Sequence, residues 1–359
     1  MKNKDKLFIF GNVFEDNGVA WYRQVQPLKW LGSNKHAHTR ITEFTGEMKA
    51  RQYTPDEVEE LVKWANMIYL TSARNQQQAA MACLMRDWGK NYLIVDIDDN
   101  ILNLNQDHPN FKHFNNVETS PAEWVLITIK YADLVITTNE YLKDIFKSWN
   151  KNIFVLPNCI DFKLWDYRKA VKARAKNKKV RIGWAGASGH YNDLGLLTKA
   201  VKELKKRNDV EFFLIGDHQN KRYFDYDKTL DWVPLDQYPD EYAKAGIDIL
   251  VAPMRDSKYN RGKSCLRLLE AGSLKTPVVA SPIGDYQGFP VLYAKDRDEW
   301  LKQLTRLVDD KKLRLKQGEV LYQKVKSEYD INVVMPSLLK ELKKLSKKKW
   351  KPKKFWNNQ

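Results

Sequence analysis

Short apolar runs alternate with amphipathic stretches along almost the whole chain. Residues 7–10, 67–71, 92–95, 134–137 and 153–156 are runs of four or five mainly branched or aromatic residues, the pattern of buried strands. Residues 55–64, 76–88, 121–131 and 139–148 lie between them with apolar positions at helical spacing, and a further helix reaches about residue 31. Strand and helix in alternation predict a parallel sheet covered on both faces. The pattern pauses at Pro157-Asn158-Cys159-Ile160-Asp161 and then restarts. Residues 180–184, 211–215, 247–252, 278–280 and 291–293 read as strands, and 193–207, 237–245, 264–273, 297–309 and 311–329 as helices. The expected fold class is α/β, with two Rossmann-like doubly wound parallel-sheet domains facing a cleft. Ligands in such sheets bind beyond the carboxyl ends of the strands. From Val334 onward, Leu338, Leu342 and Leu345 fall on one helical face. The boundaries that follow are 1–165 and 181–330 for the two domains, 166–180 for a basic linker and 331–359 for a C-terminal helix and tail.

Composition supports two cores. The chain has 359 residues, 43% of them hydrophobic, with 12 Trp, 17 Tyr and 14 Phe. No run approaches the ~20 apolar residues of a membrane span. The apolar run at 7–10 is too short for the core of a signal peptide. Cys83, Cys159 and Cys265 are far apart and odd in number. They give no sign of a disulfide framework, and the expected compartment is the reducing cytoplasm.

The net charge of +16 is confined to two segments. Residues 168–181 hold eight basic residues and no acid, and residues 340–359 hold nine lysines and one glutamate. Together they carry the whole net charge, so the body of the protein is neutral. The second stretch, a tail, interleaves its lysines with Trp350, Phe355 and Trp356. Charge so localised points to an anionic partner rather than to a generally basic fold.

Candidate chemistry lies where strands give way to helices. Asn260-Arg261-Gly262-Lys263-Ser264 opens a helix, where amides and a lysine can hold a phosphate. Glu270 follows about two turns on and can accept hydrogen bonds from hydroxyls. An ordinary amphipathic helix with a solvated start has the same pattern. Gly183-Trp184-Ala185-Gly186-Ala187-Ser188-Gly189-His190 follows the first strand of the second half, and its small residues allow close approach of a ligand. It departs from G-x-G-x-x-G, which argues against a dehydrogenase. His190 either donates to a phosphate or hydroxyl, or caps the helix. Asp96-Ile97-Asp98-Asp99-Asn100 crowds carboxylates at a strand end, where a hard cation, a general base or sugar binding would fit. Plain alternation, with Asp99 capping the next segment, also accounts for it. Asp231-Trp232-Val233-Pro234, after Ile215-Gly216-Asp217, is a turn that either faces a nucleobase or merely connects.

Taken in order, these segments resemble the GT-B glycosyltransferases, within the large retaining group called family 4 or glycosyl transferases group 1. Gly18-Val19-Ala20-Trp21-Tyr22-Arg23 with Pro27 resembles the acceptor-facing loop, and Val95-Asp96-Ile97-Asp98-Asp99 a subgroup's D-x-D-D segment. Leu156-Pro157-Asn158-Cys159-Ile160-Asp161 is similar to P-N-G-V-D, with Cys159 in place of glycine. Ile182 to Gly186 with His190 and Asp193-Leu194 resembles the opening of the second domain. Ala252-Pro253, Asn260, Lys263-Ser264, Leu269-Glu270 and Pro277-Val278-Val279-Ala280-Ser281 resemble the donor block.

The resemblance implies a hexosyltransferase-like, retaining enzyme that uses a UDP- or GDP-linked sugar and needs no metal. Gly186, Ala187, Ser188, Asn260, Arg261, Lys263 and Ser264 would face the donor, and Trp232 and Val233 its base. Glu270 would bind the ribose. Gly18, Trp21, Tyr22 and Arg23 would face the acceptor, with Asp98 and Asp99 nearby and His190 beside the reacting groups. Two departures stand out. The family's first glutamate, eight positions before Glu270, is Gly262 here, and the family's Arg and Lys pair after the second-domain opening is absent. The acceptor stays open among a glycan, a lipid-linked molecule and DNA.

Two rival classes remain. A nucleic-acid-binding or DNA-glycosylating protein would use residues 340–359 for phosphates and its aromatics for bases. An anionic membrane surface fits the same tail, and would make the protein peripheral to the inner face of a membrane; a solvated tail that binds nothing has the same composition. A non-catalytic sugar-binding protein would share the two-domain shape but need no nucleotide.

Overall fold

The computed structural model describes residues 6–14, 17–42, 44–45, 49–50, 53–115, 120–216 and 224–353, with backbone alone at 44–45, 49–50, 188–189 and 191. Asp217, Phe355 and Trp356 lie outside the described residues, as does the Ser188 side chain. The chain divides into two compact units, one of residues 1–102, 111–158 and 334–359, the other of 103–110 and 159–333.

The first unit is built on β1 (Phe8–Asn12), β2 (His38–Ile41), β3 (Met67–Thr71), β4 (Tyr92–Ile97), β5 (Leu134–Thr137) and β6 (Ile153–Val155). All pair in parallel, in the order β2-β1-β3-β4-β5-β6. The inner strands are buried on both faces, and this is why they read as unbroken apolar runs. Helix α1 (Gln76–Gly89) starts at Asn75, whose side chain accepts from the Gln78 amide, and ends at Lys90 in the left-handed region. Helix α2 (Pro121–Tyr131) starts with proline in its first turn, where the missing N–H costs nothing.

The second unit has β7 (Val180–Gly186), β8 (Val210–Gly216), β9 (Lys228–Leu230), β10 (Ile249–Ala252), β11 (Val278–Ala280) and β12 (Leu292–Tyr293). The sheet is again parallel, in the order β9-β8-β7-β10-β11-β12. Trp184, Leu194, Phe212, Ile249, Val279 and Trp300 share one of its cores. Its helices include α3 (Tyr167–Arg174), α4 (Tyr238–Ala245) and α5 (Leu266–Ser273), and α6 (Ile331–Ser346) then carries the chain into the first unit.

Strand order fixes where a ligand site belongs. Each sheet reverses direction of build once, between β1 and β3 in the first unit and between β7 and β10 in the second. Loops leaving those strands splay apart and form a crevice at their carboxyl ends.

Four features differ from the sequence expectations. β2 and β9 carry no apolar run, because both are edge strands with largely exposed side chains. The helix expected from residue 193 is a 3-10 helix over Ser188–Leu197, becoming α-helical only at Thr198–Leu204. The stretch expected as a basic linker over 166–180 is helical over Tyr167–Arg174 and buries side chains. Ala170 is buried in α3, and Arg174 donates to the Leu274 carbonyl at 3.0 Å and to Thr276 Oγ1 at 2.9 Å. Burial lowers the Arg174 pKa, against Asp248, and the hydrogen bonds satisfy its charge. Trp350 is not a free aromatic. Its Nε1 donates to the Asn91 carbonyl at 3.0 Å, and the Arg86 guanidinium lies 5.1 Å from its ring centroid. Among the described residues no helix is long and apolar enough to cross a membrane.

Candidate functional site

The loops that leave β7 and β10 meet through one aspartate. Asp193 lies in the 3-10 helix after β7 and is only 3% exposed. Its Oδ1 accepts from the Arg255 amide at 2.9 Å and from Asn260 Nδ2 at 3.1 Å. Its Oδ2 lies 3.1 Å from His190 Nδ1. Asn260 Nδ2 also donates to the Arg255 carbonyl at 2.8 Å. Asp193 therefore locks the loop after β10 onto the loop after β7. Buried acceptors so well supplied with donors favour the ionised form. Burial opposes this, but His190, the Arg255 amide and Arg267 outweigh it and lower the Asp193 pKa.

His190 is held neutral. Burial, reinforced by Arg267 and Lys263, brings its pKa from 6.5 to about 3, against the opposing pull of Asp193. With Asp193 ionised, Nδ1 must carry the proton and donate. Nε2 is then an acceptor.

Two cations stand on the next turns. Lys263 follows the 3-10 turn Asn260–Gly262, and its Nζ lies 4.5 Å from the Tyr259 ring centroid. Tyr259 in turn meets His108, Oη to Nε2 at 3.4 Å. Arg267 sits four residues after Lys263, in the first turn of α5, with its guanidinium carbon 5.6 Å from the Trp184 ring centroid. It is hydrogen-bonded with Tyr286. Its Nη1 is buried and makes no hydrogen bond among the described residues. Gly186 ends β7 beneath this guanidinium. A Cβ there would come within 2.8 Å of Arg267 Nη2 and 2.6 Å of Trp184 Cζ2. Glycine is needed because the arginine occupies that space.

Glu270 lies on the same helix α5 and is buried, 5% exposed. Tyr238 and Tyr242 are close enough that its charge, after burial, helps push both phenols well above their ordinary pKa. Of the remaining donor-side expectations, Ala187 caps the 3-10 helix in extended conformation and Ser264 is half-buried beside Lys263. Arg261 is exposed and pairs with Asp256 through two bonds of 2.7 and 2.8 Å. Trp232 and Val233 stand on the loop after β9, with Trp232 51% exposed.

The first unit treats its expected residues differently. Gly18 is exposed at the start of the helix after β1. Trp21, Tyr22 and Arg23 belong to a π-helical turn over Trp21–Val25, and all three are buried. Such turns recur at functional sites. Arg23 does not present its guanidinium to an acceptor. Its Nε and Nη2 donate to the two Asp96 oxygens at 2.9 Å each, and its Nη1 donates to the Leu156 carbonyl and Asn158 Oδ1 at 2.8 and 3.1 Å. Tyr69 Oη adds a bond to Asp96 Oδ2 at 3.0 Å. Burial works against the Arg23 charge, but Asp96, with Tyr69 and Asp98, raises its pKa above the ordinary value. The carboxylate crowd at residues 96–99 is thus divided. Asp96 is neutralised inside, while Asp98 and Asp99 are half-buried after β4. Among the described residues no group of His, Cys, Asp and Glu is arranged to hold a metal.

Sequence reasoning missed Arg267. The available signal was a second cation four residues after Lys263, in the first turn of the helix that follows it. It also missed Asp193 as the residue that joins the two loops.

Comparison with known proteins follows the same lines. Residues 179–310 match the family described as Glycosyl transferases group 1. Anabaena HepE in complex with UDP and glucose aligns with a TM-score of 0.65 at 13% identity, over 94% of this chain and 99% of that one. Sucrose-phosphate synthase from Thermosynechococcus elongatus aligns at 0.67 and 13%, over 95% and 99%. An alpha-glucosyltransferase in complex with UDP and a 13-mer DNA aligns at 0.64 and 12%, over 94% and 100%. No curated protein matches the sequence. At such identities the likeness is one of fold. By fold the chain is GT-B, and through residues 179–310 it resembles the glycosyl transferases of group 1.

Proposed function

We propose that the protein is a retaining glycosyltransferase that binds a nucleotide-sugar donor in its second unit and an acceptor hydroxyl in its first. The observation that carries this reading is the pair Lys263 and Arg267, with a buried, unpartnered Nη1 on Arg267 among the described residues. A buried cationic donor calls for an anionic acceptor, and a diphosphate supplies several. Placement at the reversal between β7 and β10, and the relatives that hold UDP, support the same donor class.

Lys263 and Arg267 are assigned to the diphosphate, with the Gly186, Ala187 and Ser188 backbone beside it. Arg267 takes over the charge expected of the family's missing Arg and Lys pair. Glu270 is assigned to the ribose hydroxyls and the Trp232–Val233 loop to the base. Neutral His190 offers Nε2 to a sugar hydroxyl, with Asn260 holding Asp193 behind it. The acceptor oxygen attacks from the face the diphosphate leaves, so no protein nucleophile is needed. The two cations stabilise the charge that grows on the leaving diphosphate. Gly18, Asp98 and Asp99 are assigned to the acceptor, while Trp21, Tyr22 and Arg23 support them from behind. No step requires a metal. The free thiols of Cys83, Cys159 and Cys265 fit a reducing cytoplasm.

A thermal-shift screen against UDP-, GDP-, ADP-, CMP- and dTDP-linked sugars tests the reading. One nucleotide class should raise the melting temperature, since a ligand that binds only the folded state stabilises it. Slow release of free sugar from that donor should accompany binding. No shift with any donor, or sugar binding without a nucleotide, would reject the enzyme in favour of a sugar-binding protein.

A further inference from the structure

Helices α1 and α2 of the first unit leave a groove of about 400 Å³ between their side chains. Its walls are apolar, formed by Ala79, Leu84, Trp88, Trp124 and Ile127, and Lys353 lies at its edge. Leu84 and Trp88 stand 61% and 55% exposed. Large apolar side chains this exposed, side by side on one groove, mark a surface that meets something apolar.

The C-terminal segment is tied down beside this groove. Tyr92 Oη donates to the Lys348 carbonyl, Arg86 Nη2 to the Lys351 carbonyl at 2.9 Å, Trp350 Nε1 to the Asn91 carbonyl, and Lys353 Nζ to the Ala132 carbonyl at 2.5 Å. Fixing the backbone in this way leaves the side chains of Lys343, Lys344, Lys347, Lys348, Lys349 and Lys351 exposed. Residues 342–353 contain no acid. The one carboxylate lining the groove, Asp87, is bound by Arg86 Nη1 at 2.6 Å and by Tyr131 Oη.

We infer that the α1–α2 groove and the lysine-rich segment that runs to its edge at Lys353 form a docking surface for an anionic lipid bilayer, with Leu84 and Trp88 entering the interface and the exposed lysines of residues 347–351 meeting the headgroups. Charge complementarity selects the occupant: an apolar slot continued by an acid-free segment of exposed lysines matches the boundary between acyl chains and anionic headgroups. A nucleic acid fits less well, because Trp350, the described aromatic of the tail, is already covered by Arg86 and bonded to Asn91. The inference stands apart from the assignment of the donor site, and it would place the acceptor chemistry at a membrane.

Co-sedimentation of the full chain with phosphatidylcholine vesicles, with and without phosphatidylglycerol, tests it. The chain should bind the anionic vesicles and little of the neutral ones. Leu84→Ser with Trp88→Ser should weaken partitioning by about tenfold or more, on the scale of apolar transfer for such side chains. Lys347→Gln, Lys348→Gln and Lys349→Gln should each cost about fivefold, and added salt should erase that part alone. A chain ending at Lys353 should still bind. The assignment is overturned if anionic vesicles are not bound, if the Leu84 and Trp88 changes have no effect in protein of unchanged melting temperature, if the chain ending at Lys353 loses all binding, or if duplex DNA is retarded in a gel while vesicles are not bound.

Discussion

Arg23 grips both oxygens of Asp96 across 73 residues of sequence, at 2.9 Å each, in a setting where Arg23 is 2% exposed and Asp96 1%. Fork-to-fork pairing of this kind fixes direction as well as distance. It ties the π-helical turn after β1 to the end of β4 and, through Nη1, to Leu156 and Asn158 just past β6. Burial already raises the Asp96 pKa against the pull of Arg23, and Arg23→Ala would leave that carboxyl buried without its cation. The expected loss is about 3–5 kcal/mol of stability in urea unfolding. Replacing both residues, Arg23→Met with Asp96→Leu, should recover much of it.

Asn260→Ala should act on stability and on the site together. It removes one of the two donors to Asp193 Oδ1 and loosens the loop after β10 on the loop after β7, leaving the Arg255 amide as the remaining tie. The expected loss is about 1–3 kcal/mol. Nucleotide affinity should fall with it, whereas exposed Arg261→Ala should change stability little.

Lys263→Ala and Arg267→Ala should each weaken nucleoside-diphosphate binding by about tenfold to a hundredfold, the range for a charged hydrogen bond of about 1.5–3 kcal/mol. Titration calorimetry with the nucleotide found in the screen would measure it. If the losses of the single variants simply add in the double variant, the two cations act on separate groups. A smaller combined loss means that they share one phosphate. Wild-type affinity in either variant would remove that residue from the site.

His190 carries a pH dependence of definite sign. Its pKa is about 3 in the folded chain against an ordinary 6.5, so the unfolded chain binds the proton more readily. The contribution is fully present above pH 6.5 and is lost as pH falls from 6.5 towards 3. His190→Gln should flatten the melting temperature across that window and leave it nearly unchanged above it. A wild-type curve that tracks the variant below pH 6 would mean that His190 titrates normally.

The inner strands of both sheets could be read from sequence because burial on two faces leaves no polar alternation to confuse. β2 and β9 could not, since an edge strand such as His38-Thr39-Arg40-Ile41 needs only one neighbour and shows mixed polarity. The motif at 260–270 placed Lys263, Asn260 and Glu270 on the correct loop and helix. Arg267 escaped because its position matters only once Gly186 and Trp184 are known to lie beneath it. From sequence alone, Arg23 is expected to face an acceptor from a glycine-led loop. Its burial depends on Asp96, Leu156 and Asn158, and contacts at such separations leave no local trace in a sequence.

Trp350 beneath Arg86 has a consequence for the order of synthesis. Domains emerging from the ribosome usually settle one after another, the first made being the first to finish. Here the first sheet is complete by residue 155, yet Arg86 gains the Trp350 ring and the Lys351 carbonyl only after the whole second unit has been made. The unit begun first is the one completed last. A fragment cut at the sequence boundary between the two halves would carry an unfinished flank.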